Sequence, residues 1–194
     1  MMVDQRPRAM LMFSGGMTSH SAFTEAEGYA KVFHSLGIRW ETFNRYELEN
    51  WATDSYQNLL FSILRFQQVC GHYPESITVI THAFKEDRFV DLHAPAIRWP
   101  SERFRVQGIN PPFTKAELRE TQEGEEARAF TPFSNDPYGV QPSLANKRRA
   151  RNWDPHMVTE LSSQVEPEVA QLLVYEGGPS GRDVFPHKLP WEDS

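Results

Sequence analysis

Short apolar runs rich in β-branched residues alternate with helical patterns through the first half of the chain. The run Ser76–His82 is the clearest of them, and a charged segment follows it directly. Such a run is typical of a central strand in a parallel sheet, because both faces of that strand are buried. The same reasoning predicts strands at Arg8–Phe13, at Trp40–Glu49 and, with a more polar pattern, at Arg103–Ile109.

Helical patterns separate these predicted strands. Thr24 and Glu27 have the spacing of a capping box, and Gly37 is a suitable C-terminal stop for the helix that follows them. The strongest helical pattern begins after Asp54, which can cap it, and carries a broad apolar face as far as Gly71. We therefore predict two well-delimited amphipathic helices in this part of the chain.

The order of the elements predicts the fold. A third helix over Lys85–Ala94, disturbed by Pro95, completes the alternation of strand and helix. Right-handed crossovers place consecutive strands of this kind in parallel, with helices on the faces of the sheet. We predict an α/β fold, specifically a Rossmann-like three-layer sandwich with a mostly parallel sheet.

The second half of the chain has a weaker pattern and most of the prolines. Helices are predicted at Thr114–Phe130 and Glu166–Tyr175. We predict a Rossmann-like core over residues 1–113 and a loop-rich C-terminal extension over residues 114–194, packed on the core as one domain overall. The basic run Lys147–Arg151 is predicted to be a solvated helix face, with a targeting or nucleic-acid signal as the weaker alternative.

Composition and charge exclude several classes of protein. The 194 residues carry a net charge of −6, which disfavours a general nucleic-acid binder. Cys70 is the one cysteine, so no internal disulfide forms, and we expect it to be an inert core residue. No apolar run reaches the length that spans a bilayer, and Met1–Arg8 lacks the apolar segment of a signal peptide. We therefore expect a cytoplasmic protein without nucleic-acid or membrane partners.

A polar turn follows each predicted strand. These turns are Ser14–Gly16, Glu49–Asn58, Thr81–His82 and Asn110–Pro111. Because parallel strands end at the same edge of a sheet, we expect the four turns to converge there. Open α/β sheets bind their ligands at that edge, so the convergence predicts a site for a small molecule.

Gly15 and Gly16 are the predicted cradle of the site. Glycines let backbone amides approach a ligand closely, and the N-terminus of the following helix adds a positive dipole, so an anion is the expected guest. A tight turn that needs positive φ is an equally weighted alternative. The full dinucleotide-binding glycine pattern and the Walker phosphate loop are both absent.

Glu49 and His82 are the predicted catalytic residues, acting as an acid–base pair. Glu49 at a strand end can serve as a general base, or bind a ribose hydroxyl or a metal. A histidine at a strand end can shuttle a proton or coordinate a metal, and a structural role for His82 is about equally weighted. On this interpretation, replacing either residue with Ala abolishes activity and changes the melting temperature little.

The other predicted ligand-binding residues are polar groups beside the same turns. They are Ser14, Thr53, Asp54, Asn58, Thr81, Lys85 and Arg88. Asp54 is explained more simply as a helix cap, and Asn58 either binds the ligand or ties loops together. Lys85 and Arg88 either clamp a phosphate or form an ordinary charged helix start. No metal ligands are assigned, because the chain has neither paired cysteines nor a His-Glu-x-x-His segment.

These residues also carry a resemblance to a known family. The order Ser14–Gly16, Glu25–Ala26, Leu48–Asn58 and Val79–Phe89 resembles the YdcF-like family (SanA, ElyC and YdcF), a domain of unknown function. The run Asp54–Ser62 is most similar to the eukaryotic, fungal-type branch, and the likeness covers roughly residues 10–112. The C-terminal segments around Tyr138–Gly139 and Leu189–Trp191 are similar to the same branch.

The resemblance implies a Rossmann-like α/β domain with its polar residues at the carboxyl edge. It also implies S-adenosylmethionine or a nucleotide-like molecule as the ligand, and it brings no established mechanism. Members of the family begin with a further strand, which Met1–Arg8 is too short and polar to supply. We therefore expect either an abbreviated form or a sequence that has lost its start, and a missing strand exposes hydrogen-bonding edges of the sheet and removes part of the pocket.

Two functional hypotheses follow from the sequence. The first is a YdcF-like protein that binds an anionic, nucleotide-like small molecule at the carboxyl edge, with hydrolysis or group transfer as candidate reactions. The alternative is a non-catalytic binding or interaction protein with an incomplete active site. The sequence leaves the substrate and the oligomeric state open.

Overall fold

The computed structural model describes residues 9–17, 22–37 and 46–193. Its strands are β1 (Leu11–Ser14), β2 (Tyr46–Glu49), β3 (Ile77–Thr81) and β4 (Phe104–Gly108). Its α-helices are α1 (Glu25–Ser35), α2 (Ser55–Cys70), α3 (Ala94–Ala96), α4 (Lys115–Glu125), α5 (Thr131–Asn135), α6 (Pro142–Ala150), α7 (His156–Ser162) and α8 (Pro167–Leu173). Short 3₁₀ turns cover Ala83–Lys85, Ser101–Arg103 and Pro190–Glu192, and π-helical turns cover Arg88–His93 and Glu126–Phe130.

The strands form two parallel pairs. β1 pairs with β2 from Leu11 opposite Tyr46 to Ser14 opposite Glu49. β3 pairs with β4 in the same parallel sense. Each pair is joined by a helical crossover, so the predicted α/β class is confirmed. The described strands form two two-stranded sheets.

The chain divides into two compact units. Unit 1 comprises the chain up to Tyr73 together with Arg148–Met157. Unit 2 comprises Pro74–Lys147 and the residues from Val158 onward. Each unit contains one parallel strand pair, and the segment 148–157 belongs with the first pair although it lies far from it in the sequence.

Unit 1 is built on its two long helices. Both α1 and α2 contact the β1–β2 pair. Leu60 and Leu64 of α2 and Ala26 of α1 are almost completely buried, as their positions on the apolar faces predict. Trp153, from the distant segment, stacks on Phe61 of α2 with 5.6 Å between ring centroids.

Unit 2 encloses the last residues of the chain that the structure describes. Trp191 is completely buried and stacks on Trp99 with 5.9 Å between ring centroids. The buried Tyr138 hydroxyl donates to the carbonyl of Ala96 and accepts from the amide of Phe185. Burial raises the pKa of Tyr138 to about 12, which keeps the donated proton in place at ordinary pH.

The predicted helix caps are confirmed. Thr24 and Glu27 form a complete capping box at the start of α1. Asp54 accepts a hydrogen bond from the amide of Gln57 at the start of α2. Gly71 ends α2 with φ of +76°, in the left-handed region that glycine adopts at little cost. Short-range cap chemistry therefore defines both helices, as their sequences indicate.

Other element boundaries differ from those predicted. The predicted strand Trp40–Glu49 is described only as Tyr46–Glu49, since residues 38–45 lie outside the described ranges. The helix predicted over Lys85–Ala94 is instead a 3₁₀ turn, a π-helical turn and the short α3. Pro95 lies in the first turn of α3, where its missing N–H costs no helical hydrogen bond.

The predicted helix over Thr114–Phe130 and the last predicted helix are both shorter than expected. A capping box at Thr114 and Glu117 starts α4, and a π-helical turn replaces the α-helical pattern after Glu125. The final predicted helix is α8. Cys70, predicted to be core, is only half-buried at the C-terminal end of α2. None of the helices in the described ranges is long and apolar enough to cross a membrane.

Candidate functional site

The carboxyl ends of β1 and β2 bring three predicted site residues together. The Ser14 hydroxyl lies 2.5 Å from Oε2 of Glu49 and 3.1 Å from Oδ1 of Asn58. Ser14 ends β1, Glu49 ends β2, and Asn58 lies one turn into α2. Strand register explains the first contact, because Ser14 and Glu49 are paired residues in the parallel ladder.

Glu49 is completely buried at this edge. Its Oε1 accepts hydrogen bonds from the amides of Trp51 and Ala52, at 2.6 and 2.9 Å. Burial raises the pKa of Glu49, while the hydrogen bonds from Ser14 and the two amides act in the opposite direction. The carboxyl group therefore fixes the loop that leaves β2 and also orients the Ser14 hydroxyl.

The protonation state of Glu49 decides the direction of the hydrogen bonds around Ser14. An ionised Glu49 accepts the Ser14 proton. A protonated Glu49 donates to Ser14, which leaves the Ser14 hydroxyl free to donate to Oδ1 of Asn58. The three side chains form a short hydrogen-bonded chain with two arrangements, in which Glu49 is buried and Ser14 and Asn58 are half-buried.

Gly15 and Gly16 form a tight turn whose amides are both engaged. The amide of Gly15 donates to the carbonyl of Glu49, and that of Gly16 donates to the carbonyl of Ala52. A Cβ at Gly16 would lie 2.9 Å from the carbonyl oxygen of Ala52, and Gly15 has φ of +146° with a Cβ position 2.8 Å from Glu25. The geometry thus matches the tight-turn alternative, and neither amide is directed at a ligand.

Thr53 and Asp54 have capping roles at the start of α2. The amide and hydroxyl of Thr53 both donate to Oε1 of Gln57, at 2.8 and 2.6 Å. The amide of Gln57 in turn donates to Oδ1 of Asp54 at 2.9 Å. This reciprocal network holds the residues beside Glu49 in place, and it corresponds to the simpler explanation of Asp54.

Two arginines that the sequence did not assign to the site lie at the same helix start. Nε of Arg148 donates to Oδ2 of Asp54 at 2.6 Å, and Nη1 of Arg151 donates to the carbonyl of Thr53 at 2.6 Å. Arg148 is only 9% exposed. The prediction of a solvated helix face for Lys147–Arg151 is therefore wrong at Arg148, because its guanidinium group is buried within unit 1.

The predicted residues at the end of β3 belong to unit 2. The carbonyl of Thr81 accepts a hydrogen bond from the amide of Ile109. His82 is exposed, its Nδ1 lies 3.2 Å from the carbonyl oxygen of Ile109, and its ring stacks on Phe84 with 5.1 Å between centroids. Lys85 lies over the ring of Phe84, with its Nζ 5.9 Å from the ring centroid.

Arg88 is buried in unit 2 and forms an ion pair. Its Nε lies 3.2 Å from Oε1 of Glu125, and both side chains are largely removed from solvent. Burial raises the pKa of Glu125, and the nearby Arg88 charge counteracts that effect. Arg88 is thus committed to a carboxylate of its own unit, which makes it poorly suited to clamp a ligand phosphate.

The structure therefore groups the predicted site residues into two sets. Unit 1 brings together Ser14, Gly15, Gly16, Glu49, Thr53, Asp54 and Asn58. Unit 2 contains Thr81, His82, Lys85 and Arg88. Across the part of the chain that the structure describes, no cluster of His, Cys, Asp and Glu side chains could hold a metal ion.

Comparison with known proteins gives a partial match. The chain is similar to "Uncharacterized protein YOR238W" of Saccharomyces cerevisiae (strain ATCC 204508 / S288c), with 36% identity over 113 residues. The aligned region is 54% of this chain and 37% of the yeast protein, so the chain spans little more than a third of that relative. No family model matches the chain, and no solved structure matches it. The name of the relative specifies neither a ligand nor a reaction.

Proposed function

We propose that this chain binds an anionic, nucleotide-like small molecule at the carboxyl edge of the β1–β2 pair. The observation that carries the proposal is the meeting of Ser14, Glu49 and Asn58 beside two arginines at the N-terminus of α2. Polar side chains from separate chain segments converge there, as ligand sites of α/β proteins require.

We also propose that the fold is of the Rossmann-like, YdcF-like type. Two parallel strand pairs with helical crossovers are compatible with a larger, mostly parallel sheet. In that fold the carboxyl edge accommodates a nucleotide or S-adenosylmethionine. Both candidates carry a nucleoside and at least one anionic group, so they share the hydroxyl and charge recognition that the edge offers.

Ser14 is the group that we expect to contact the ligand. Its hydroxyl is half-buried, whereas Glu49 behind it is completely buried. Glu49 therefore acts through Ser14, whose hydroxyl donor or acceptor state it controls. If the chain is an enzyme for hydrolysis or group transfer, this pair is the arrangement in unit 1 that can move a proton to or from the ligand.

The test is a thermal-shift panel on the purified full chain. It includes S-adenosylmethionine, ADP, a sugar nucleotide and inorganic phosphate, each with and without magnesium, calcium or zinc. A ligand at 100 times its dissociation constant adds about 2.7 kcal/mol of stability, which raises the melting temperature by several degrees.

Two serine variants make the test specific. Ser14→Ala removes the hydroxyl at the proposed site and should abolish the ligand-induced shift. Ser35→Ala removes an exposed hydroxyl that donates to the carbonyl of Val32 within α1, and it should retain the shift. A folded protein that no compound in the panel stabilises would contradict the proposal.

A non-catalytic binding protein is the second candidate. The observation that favours it is that both carboxyl oxygens of Glu49 are already hydrogen-bonded. One contacts Ser14, and the other accepts from the amides of Trp51 and Ala52. A carboxylate used in this way holds structure rather than exchanging protons with a substrate. Chromatography of the stabilising ligand after long incubation separates the two candidates, because only an enzyme converts it.

A further inference from the structure

The start of α2 carries more positive than negative charge. Thr53 and Asp54 precede the helix, and each of them contacts one arginine. Arg148 donates to Oδ2 of Asp54, and Arg151 donates to the carbonyl of Thr53. Within the described ranges, Asp54 is the carboxylate that pairs with Arg148, and no ion pair is formed by Arg151. A helix of 16 residues adds the equivalent of about half a positive charge at the same end.

Both carboxylate oxygens of Asp54 already accept hydrogen bonds. Oδ1 of Asp54 accepts from the amide of Gln57, and its Oδ2 accepts from Nε of Arg148. Two guanidinium groups and a helix dipole therefore act against one carboxylate. The local excess of positive charge favours a further anion at this helix end.

Arg148 supplies an independent indication of a ligand. The residue is 9% exposed, and its Nη2 is buried without a hydrogen-bond partner in the part of the chain that is described. A buried donor that makes no hydrogen bond costs about 1–3 kcal/mol, and more when it is charged. The planar guanidinium group offers its Nη donors in the fork geometry that matches phosphate or carboxylate oxygens.

We propose that Arg148 and Arg151, together with the N-terminus of α2, bind the phosphate group of the ligand. This inference rests on the proposed function, since it assigns the anionic part of the same ligand to a defined pair of side chains. The recognised chemistry is a phosphate oxyanion, carried either by a nucleotide or by a free inorganic phosphate. Asp54 opposes the anion by charge while it caps the helix and orients Arg148.

The experiment is calorimetric titration of the full chain with inorganic pyrophosphate, ADP and adenosine. We expect wild type to bind pyrophosphate and ADP. Arg151→Gln should weaken both by about tenfold or more, the loss expected for one charge-assisted hydrogen bond. Arg149→Gln is the control, because Arg149 is an exposed arginine of the same basic run.

Asp54→Asn tests the charge balance at this helix end. Asparagine is as good an N-cap as aspartate, so α2 is retained, while the competing negative charge is removed. We expect this variant to bind pyrophosphate several-fold more tightly than wild type. Asp54→Asn and Arg148→Gln both break the Asp54–Arg148 ion pair, so each is first checked for cooperative unfolding, and Arg151→Gln, which leaves that pair intact, is the decisive variant.

The outcomes separate this inference from the proposed function. No pyrophosphate binding by wild type, or equal affinities in wild type, Arg151→Gln and Asp54→Asn, overturns the phosphate assignment. If adenosine and ADP then still bind equally well, the nucleotide-like ligand stands without it. Pyrophosphate binding that depends on Arg151, with no contribution from adenosine, supports the phosphate site and contradicts the nucleoside part of the proposed function.

Discussion

The structure predicts that replacing Glu49 with Ala lowers the stability of the protein. The sequence suggested that Glu49→Ala removes activity and leaves stability unchanged. In the structure, the substitution leaves the amides of Trp51 and Ala52 without their carboxyl acceptor. Each buried amide left unsatisfied costs about 1–3 kcal/mol, so we expect a total loss of about 3 kcal/mol.

Hydrogen exchange measures this loss where it occurs. The amides of Trp51 and Ala52 should exchange roughly 100 times faster in Glu49→Ala, because every 1.4 kcal/mol corresponds to a factor of ten. Glu49→Gln keeps an acceptor oxygen for both amides and an amino group for Ser14, so protection should be close to that of wild type.

Glu47→Ala is the matched control on the same strand. Glu47 lies two residues earlier in β2 and pairs with Arg65 in a half-exposed ion pair. Such pairs contribute less than about 1 kcal/mol, so this variant should leave the exchange of Trp51 and Ala52 nearly unchanged. Equal protection in Glu49→Ala and wild type would refute the structural role of the carboxyl group.

The same residue predicts a pH dependence. Burial raises the folded-state pKa of Glu49, so the folded protein binds this proton more tightly than the unfolded chain. Its contribution to stability is therefore complete below the ordinary carboxyl pKa and is lost as the pH rises through the folded-state value. Glu49→Gln should remove this part of the decline in denaturation midpoint, and an unchanged pH profile would contradict the assignment.

Three further substitutions test the packing. Gly16→Ala places a Cβ 2.9 Å from the carbonyl oxygen of Ala52 and should cost about 1–3 kcal/mol in denaturant unfolding, whereas Gly28→Ala inside α1 should be neutral or stabilising. Tyr138→Phe removes two buried backbone hydrogen bonds and should cost about 1–3 kcal/mol. Trp153→Ala removes the stacking on α2, so exchange in 148–157 should accelerate while unit 2 is unaffected. The expectation for Gly16→Ala, Tyr138→Phe or Trp153→Ala fails if that variant matches wild type.

Local sequence patterns correctly predicted several boundaries of the secondary structure. The caps at Thr24 and Asp54 and the stop at Gly71 depend on residues within a few positions of one another, and all three are confirmed. The parallel pairing of the strands was predictable for a similar reason, because short apolar runs joined by helices permit few other topologies. The secondary structure of Lys85–Ala94 could not be predicted, because nothing in the local sequence distinguishes its π-helical turn from an α-helix.

The candidate site was predictable where it depends on strand ends. Ser14 and Glu49 were placed together because their turns follow neighbouring parallel strands, and the structure brings them into contact. Arg148 was missed because its partner Asp54 lies 94 residues away, a separation over which no periodicity operates. The basic run was visible in the sequence, but composition alone could not indicate which of its members is buried.

The most direct test of the central claim is amide NMR on the isotope-labelled full chain during titration with ADP. The account predicts that the largest chemical-shift changes occur at Ser14–Gly16 and at Trp51–Asn58, the segments that meet at the carboxyl edge of β1 and β2. Smaller changes are expected around Arg148 and Arg151. Shifts concentrated outside these segments, or no shifts at millimolar ADP, would contradict the placement of an anionic, nucleotide-like ligand at this edge.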